Sequence, residues 1–496
     1  MTGEHTEATE SGEPKKDGPG ADALYRMLPS IHELLLTGMF GQAIAPRGRD
    51  RVVEALRRSL ESVRQQIAQG LHSPASLKNL LDELPNQVAE EMKHDSQLSL
   101  RRVVNATGVL LHTNLGRAPL SNRALDHLRE IAAGYSNLEF DLEAGGRGRR
   151  DAHVESLILA LLNESTPARL NETHGALVVN NCAAATFLVL HTLASGRQVL
   201  VSRAELVEIG GGFRIPDILE ESGAVLREVG TTNKTRVADY EKAITVETGL
   251  ILRVHQSNFS MDGFVERPEL ADLAALGRRA GISVFEDQGT GLMESLDPYG
   301  VHGERTFTDS IVGGCDLVAA SGDKLLGGPQ CGVLAGRRDL VDRIGASPLY
   351  RVFRADKLNY AALGATLIQY LYGDRDSIPV LRMLRMTQDA IRLRCEQVCA
   401  AVRNDGLTVE VAGTESVIGG GTAPRSRLAS YAVALKHARL DSANLLGRLR
   451  RLSPPIVGRI EDDRVLLDLR TVEPEFDSHL IKLLSTCIEP ARGESS

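Results

Sequence analysis

The chain has 496 residues, of which 42% are hydrophobic and 25% charged, with a formal net charge of −8. That is ordinary globular material with room for two or three domains and a large core, and its acidic balance argues against a surface coated in basic residues for nucleic acid, although a local patch can do that work. No apolar run reaches the roughly 18 to 20 residues of a membrane span, and the opening MTGEHTEATESGEPKKDGPG lacks the apolar core of a signal peptide, so a cytoplasmic protein is expected.

Residues 1–22 hold six acids against Lys15 and Lys16 with almost nothing apolar, which predicts a disordered acidic tail. From 23 to 97 apolar residues recur at three and four positions, as in RVVEALRRSLESVRQQI, and predict a small helical domain. Its stretch from Arg47 to Arg64 carries six arginines against Asp50, Glu54 and Glu61, either a basic docking face or a solvated helix surface. From about residue 98 to 364 short β-rich runs alternate with helices: ALVVN, QVLVS, AVLREV, LILRV, ISVFE and DLVAAS are strands, and PELADLAALGRRAG reads as a crossover helix. Apolar strands between amphipathic helices predict an α/β domain with a mostly parallel sheet, whose ligands sit at the carboxyl ends of the strands. Residues 365–496 begin with a long helical stretch around MLRMTQDAIRLRCEQVCAAVR and continue into LASYAVALKH and RVLLDL, a smaller α+β domain. Cys182, Cys315, Cys331, Cys395, Cys399 and Cys487 show neither CxxC nor zinc spacing and read as reduced core thiols, with no disulfide framework or structural metal.

Three strand ends carry chemistry. In LVAASGDKLLGG, Lys324 follows a buried strand; losing hydration there lowers an amine's pKa and frees its lone pair for a Schiff base. Ser321 and Gly322 suit close approach to a phosphate. Alone, SGDK more often describes a turn lysine paired with a neighbouring aspartate. In VFEDQGTG, Asp287 ends a strand 37 residues earlier, where a buried carboxylate could keep a pyridinium nitrogen protonated; an N-cap aspartate is the simpler alternative. In VVNNCAAATFL, a strand, the Asn180-Asn181 turn and a helix start lined by small residues offer the N–H groups of Cys182 to Ala184 to a phosphate. A phosphate seat, an aspartate and a lysine in this order are the arrangement of aminotransferase-like (fold type I) enzymes that use pyridoxal 5'-phosphate. GGRGRR (145–150) lacks nucleotide-loop spacing, and Arg147, Arg149 and Arg150 read as anion binders. His112, His174 and His255 are each either a ring-stacking residue or a core histidine.

RRVVNATGVLLHTNLGRAPLS, LEAGGRGRRDAHVE, VNNCAAATFLVL, SRAELVEIGGGFRIPDILEESGAVLREVGTTNKT, VHQSNFSMDGF and SGDKLLGGPQCGVLAGRRDLV together resemble the bacterial selenocysteine synthase family, the L-seryl-tRNA(Sec) selenium transferases. The likeness runs from about residue 27 to the carboxyl terminus, and LPSIHELL resembles the family's tRNA-docking amino-terminal domain. Cys182 and Ala204 stand where the family has asparagine and glycine, and EDQGTG replaces DLGSG. The resemblance implies conversion of L-seryl-tRNA(Sec) to L-selenocysteinyl-tRNA(Sec). The seryl amine would displace Lys324 from the pyridoxal phosphate, Lys324 would take the α-proton, water would leave from Cβ, and selenium would add from selenophosphate. It further implies that Arg117, Arg351 and Arg354 hold the selenophosphate, that Asp323 assists proton traffic, and that Asp287, Asn181, Cys182, Ala183 and Ser321 join Lys324 in holding the cofactor. Large homo-oligomeric rings of dimers, with active sites drawing on both subunits, are implied as well. A pyridoxal-phosphate lyase or transferase acting on a free small amino acid or amino sugar is the alternative, and an RNA-binding protein that has lost catalysis is a third.

Overall fold

The computed structural model describes residues 21–36, 48–95, 98–164, 173–209, 212–256 and 258–486. The expected tail as far as residue 20, Arg47 and Cys487 lie outside the described residues. The chain divides into two units, Met1–Arg101 and Arg102–Ser496.

Among the described residues of the first unit four helices follow the predicted periodicity: α1 (Ala21–Tyr25), α2 (Ile31–Leu36), α3 (Arg49–Ala68) and α4 (Pro74–Asp95). The inward face of α3 is Val52, Ala55, Leu56, Leu60, Val63 and Ile67, spaced by three and four. It packs on Leu34, Leu84 and Val88 at one end and on Leu24 and Leu77 at the other. α4 starts where Ser73 accepts the Ser76 N–H at 3.2 Å and Pro74 occupies the first position, where a missing N–H is harmless. Arg49, Arg51, Arg57, Arg58 and Arg64 all lie exposed on α3.

The second unit is built on a seven-stranded sheet. Its strands are β1 (His174–Val179), β2 (Gln198–Ser202), β3 (Val225–Val229), β4 (Thr248–Val254), β5 (Ser283–Gly289), β6 (Leu317–Ser321) and β7 (Gly332–Arg337). They lie side by side in the order β1-β7-β6-β5-β4-β2-β3, and only β7 runs antiparallel to its neighbours. Alternate residues of one strand enter different cores: Leu177 and Val179 one, Ala176 and Val178 the other. This is why these strands read as continuous apolar runs. The helix α5 (Cys182–Ala194) follows β1 and is capped by Asn181, whose side chain accepts the Ala184 N–H at 2.8 Å. α6 (Leu270–Ala280) is the crossover between β4 and β5.

A second, five-stranded sheet contains β8 (Leu407–Gly419), β9 (Leu428–His437), β10 (Arg459–Glu461) and β11 (Arg464–Asp468). Its fifth strand is Val109–Leu111, which runs parallel to β8, and Val104–Asn105 pairs with Ile456–Val457. The start of the second unit is therefore stitched to the carboxyl-terminal sheet, although its position in the sequence groups it with the expected α/β domain. Runs of two and three residues are too short to announce their partners. The long helical stretch expected around MLRMTQDAIRLRCEQVCAAVR divides into Pro379–Arg385 and Gln388–Ala401, because the Thr387 hydroxyl caps the second helix through the Ala390 N–H at 3.3 Å. Cys315, Cys331 and Cys395 are buried free thiols, whereas Cys182 and Cys399 are half-buried. Among the described residues no group of His, Cys, Asp and Glu could hold a metal ion, and no helix is long and apolar enough to cross a membrane.

Candidate active site

The carboxyl ends of β1, β4, β5 and β6 deliver Asn181, His255, Asp287 and Lys324 to one cavity of about 270 Å³, which Arg117, Cys182, Ala183, Ser321 and Asp323 also line. Lys324 sits in the turn just beyond β6 and is only 6% exposed. The turn is fixed by backbone bonds from Gly322 N to the Cys331 carbonyl at 2.8 Å and from Leu325 N to the Thr290 carbonyl at 2.9 Å. Gly322 is required here, since a Cβ would strike the Pro329 carbonyl and the Cys331 sulfur. Burial lowers the Lys324 amine below the usual lysine value, more than the neighbouring Cys182 and Asp287 restore it.

Asp287 faces that amine across the cavity. Its Oδ2 accepts the Thr186 hydroxyl at 2.9 Å and its Oδ1 lies 3.5 Å from the Cys182 thiol. Burial raises the carboxyl above the ordinary aspartate value in spite of these donors and of Lys324. A buried carboxylate so disfavoured lacks a full counter-charge, so the place suits a cationic ring. The same burial, together with Asp287, holds the Cys182 thiol well above its usual value, so it stays protonated and donates. At the start of α5 the N–H groups of Ala184 and Ala185 are taken by the Asn181 side chain and carbonyl. Those of Cys182 and Ala183 precede the first intrahelical acceptor and can meet an anion.

Arg117 reaches the cavity from a different direction. It ends the turn Thr113–Gly116 in the left-handed region, φ 62°. Its Nη1 bonds Asp323 Oδ2 at 2.9 Å, while the Ala118 N–H bonds the Asp323 carbonyl at 3.1 Å. Asp323 is thereby held on both sides next to Lys324.

Of the three histidines, His255 lines this cavity. Its backbone N–H bonds the Asp287 carbonyl at 3.0 Å, its Nε2 meets Glu304 Oε2 at 3.0 Å, and its buried Nδ1 has no hydrogen-bond partner among the described residues. His174 instead opens β1, at the opposite end of the strand from Asn181, with Arg338 bonded to its carbonyl. His112 precedes the Arg117 turn and accepts the Arg117 N–H through its carbonyl at 3.1 Å. Thr186 was not singled out from the sequence. Its signal is there: it lies four residues after Cys182 on α5, hence on the same helix face.

Arg351 and Arg354 line a second cavity, about 440 Å³, together with Arg147, Arg149, Arg150, Glu139, Asp151 and Tyr350. Arg351 lies on α7 (Pro348–Phe353) and is exposed. The backbone of Arg354 bridges to Val179, and Asn180 N bonds the Phe353 carbonyl at 2.9 Å, immediately ahead of Asn181. The structure therefore brings Arg117 to the lysine cavity and leaves the other two arginines in a cavity next to the same β1–α5 turn. GGRGRR forms a hairpin in which Phe140–Asp141 pairs with Gly146–Arg147, and it contributes its arginines to this second cluster.

A family model described as L-seryl-tRNA selenium transferase matches residues 103–473. The chain is 46% identical over 423 residues to the L-seryl-tRNA(Sec) selenium transferase of Aquifex aeolicus, covering 85% of this chain and 90% of that one. It is 42% identical over 456 residues to the protein of that name from Geobacter sulfurreducens, covering 90% and 96%. Among solved structures it resembles D-glucosaminate-6-phosphate ammonia-lyase, with a TM-score of 0.53 at 18% identity over 78% of this chain and 96% of that one, a likeness of fold. The fold is the one expected from the sequence, an α/β class with a mostly parallel sheet, a helical amino-terminal region and a smaller α+β part. On the strength of the matched family model and of identity this high over nearly the whole chain, the protein belongs to the L-seryl-tRNA selenium transferase family.

Proposed function

We propose that the chain is a pyridoxal 5'-phosphate enzyme that converts L-seryl-tRNA(Sec) to L-selenocysteinyl-tRNA(Sec) with selenophosphate. The observation that carries the reading is the buried Lys324, its amine lowered by burial and set opposite an undercompensated Asp287, in a chain of this family. The residues fit the cofactor. Lys324 would hold it covalently, Asp287 would face its ring nitrogen, and the N–H groups of Cys182 and Ala183, with Asn181 and Ser321 beside them, would take its phosphate. When bound, the cofactor supplies an electron sink for charge developing at the substrate's Cα.

The remaining work falls to the chain's own groups. Burial lowers the pKa of the Lys324 amine and so favours its neutral, proton-accepting form, and Lys324 takes the proton from the seryl Cα. Asp323, anchored by Arg117, sits beside it to pass that proton toward the departing hydroxyl. Arg117, Arg351 and Arg354 hold the selenium donor, whose oxyanion suits guanidinium forks. The exposed arginines of α3 dock the tRNA, and residues 23–97 form that module. Ring-shaped assemblies of dimers, with sites shared between subunits, complete the reading.

The relatives that print this activity are 38–46% identical, whereas the ammonia-lyase likeness at 18% speaks for fold alone, so action on a free amino acid or amino sugar is not favoured. The test is direct: purified chain, seryl-tRNA(Sec) and selenophosphate are incubated and the aminoacyl product is identified by mass spectrometry. Selenocysteinyl-tRNA(Sec) is expected. Unchanged seryl-tRNA(Sec) from a yellow, pyridoxal-loaded protein would refute the reading.

A further inference from the structure

Three arginines converge on one carboxylate at the edge of the second cavity. Glu139 Oε1 receives Arg150 Nε at 2.6 Å and Arg354 Nη1 at 3.2 Å, while its Oε2 receives Arg147 Nη2 at 3.3 Å. Arg150 also donates from Nη1 to the Ala355 carbonyl at 2.8 Å, and Gly148 N bonds the Glu139 carbonyl at 3.0 Å. The GGRGRR hairpin is thus latched to residues 354–355 through Glu139 and Arg150. Arg354 is in turn bridged by its backbone to Val179, two residues before Asn181. Hydrogen bonding and attraction from Arg150, then attraction from Arg147 and Arg354, hold the Glu139 carboxyl below its usual range, so it is charged at neutral pH.

We propose that Glu139 is a positioning residue that presets Arg354, Arg150 and Arg147 as one clamp for a phosphate-type oxyanion. This rests on the reading of Arg354 as a contact for the selenium donor and adds two arginines and a carboxylate to it. The carboxylate engages Arg354 through Nη1 alone, and a guanidinium carries five N–H donors, so most of the fork is left for a ligand. An arginine that is already oriented loses less freedom on binding than a mobile one. Arg147 and Arg354 are 76% and 30% exposed in their side chains, so without Glu139 solvent would leave them free to reorient.

Two effects oppose each other when Glu139 loses its charge. If the carboxylate merely competes with the ligand, Glu139→Gln raises the positive potential and tightens anion binding. If it positions the arginines, binding weakens. The experiment compares the parent, E139Q, E139D and R354A in steady-state selenium transfer, with pyridoxal absorbance and thermal melting recorded on each. The expected result for E139Q is a KM for selenophosphate at least about tenfold higher, kcat within about twofold, unchanged absorbance and melting, and partial recovery in E139D. An unchanged or lower KM in E139Q while R354A raises it overturns the positioning role and leaves the donor reading intact. An unchanged KM in R354A overturns the donor reading and the inference with it. Loss of cofactor or a melting drop in both Glu139 variants overturns the inference by making Glu139 a structural residue.

Discussion

Replacing Asp287 by asparagine separates two things the wild-type residue does at once. The amide is nearly isosteric, can still accept the Thr186 hydroxyl now at 2.9 Å, and removes a charge that burial already disfavours. The cofactor-free protein is therefore expected to keep its melting temperature or gain a few degrees, because an undercompensated buried carboxylate is gone. Cofactor binding moves the other way. Breaking a buried ion pair by removing one partner costs roughly 3–5 kcal/mol, about 10²- to 4 × 10³-fold in affinity at about 1.4 kcal/mol per decade. The lower end applies here, since a pyridinium without its partner can release its proton. Titration of D287N with pyridoxal phosphate, followed by absorbance, should give a dissociation constant raised about 100-fold or more. The reasoning fails if the constant stays within threefold of the parent. It fails equally if the cofactor-free variant melts several degrees lower, which would make Asp287 a hub of the apoprotein core.

Lys324→Ala is expected to abolish the borohydride-trappable pyridoxyl adduct, and an adduct persisting on another lysine would reassign the residue. Because the folded Lys324 has a pKa below the 10.5 of a free lysine, the folded chain binds fewer protons between the two values and stability rises with pH there. Cofactor-free Lys324→Met should accordingly melt above the parent at pH 7, with the margin shrinking toward pH 10; a margin constant in pH would count against a buried, titrating amine. A chain beginning at Arg102, the start of the second unit, should keep its pyridoxal absorbance yet bind tRNA(Sec) more weakly and with a shallower salt slope, since arginine–phosphate contacts release counterions. Equal affinity and slope in both chains would move the RNA site onto the second unit.

The main sheet was legible because its strands other than β3 are buried on both faces, which leaves uninterrupted apolar runs such as ALVV and LVAAS, whereas β3, at one edge, is largely exposed. Lys324, Asp287 and Asn181 were legible for the same reason: each stands where such a run stops, and a parallel sheet gathers those stops at one edge. What the sequence could not carry is pairing over distance. Nothing near Val109 announces a partner at Val417, and nothing in GGRGRR announces that Arg150 would reach Glu139 and the Ala355 carbonyl. The same limit applies to the histidines. His112, His174 and His255 each adjoin an apolar stretch, and only the strand order puts the residue after β4 beside Asp287 near the end of β5.

Cys182 tests how much of the cofactor seat is side chain and how much is backbone. It stands where the resemblance leads one to expect asparagine, at the first position of α5, and its N–H comes from the main chain whichever residue is there. Its thiol points instead toward Asp287, as a weak sulfur donor at 3.5 Å. A hydrogen bond of ordinary strength contributes about 0.5–1.5 kcal/mol, and this one, from a weak sulfur donor at 3.5 Å, belongs at the low end even with a carboxylate as acceptor. Cys182→Ala should therefore weaken pyridoxal phosphate binding by no more than about fivefold, against the hundredfold expected for D287N, and should raise the Asp287 carboxyl slightly by removing a donor. Lower cofactor affinity at acid pH than in the parent is the accompanying sign, because the protonated carboxyl cannot pair with a ring cation. A loss in C182A as large as in D287N would show that the thiol itself, and not the backbone N–H alone, is part of the group that holds the cofactor.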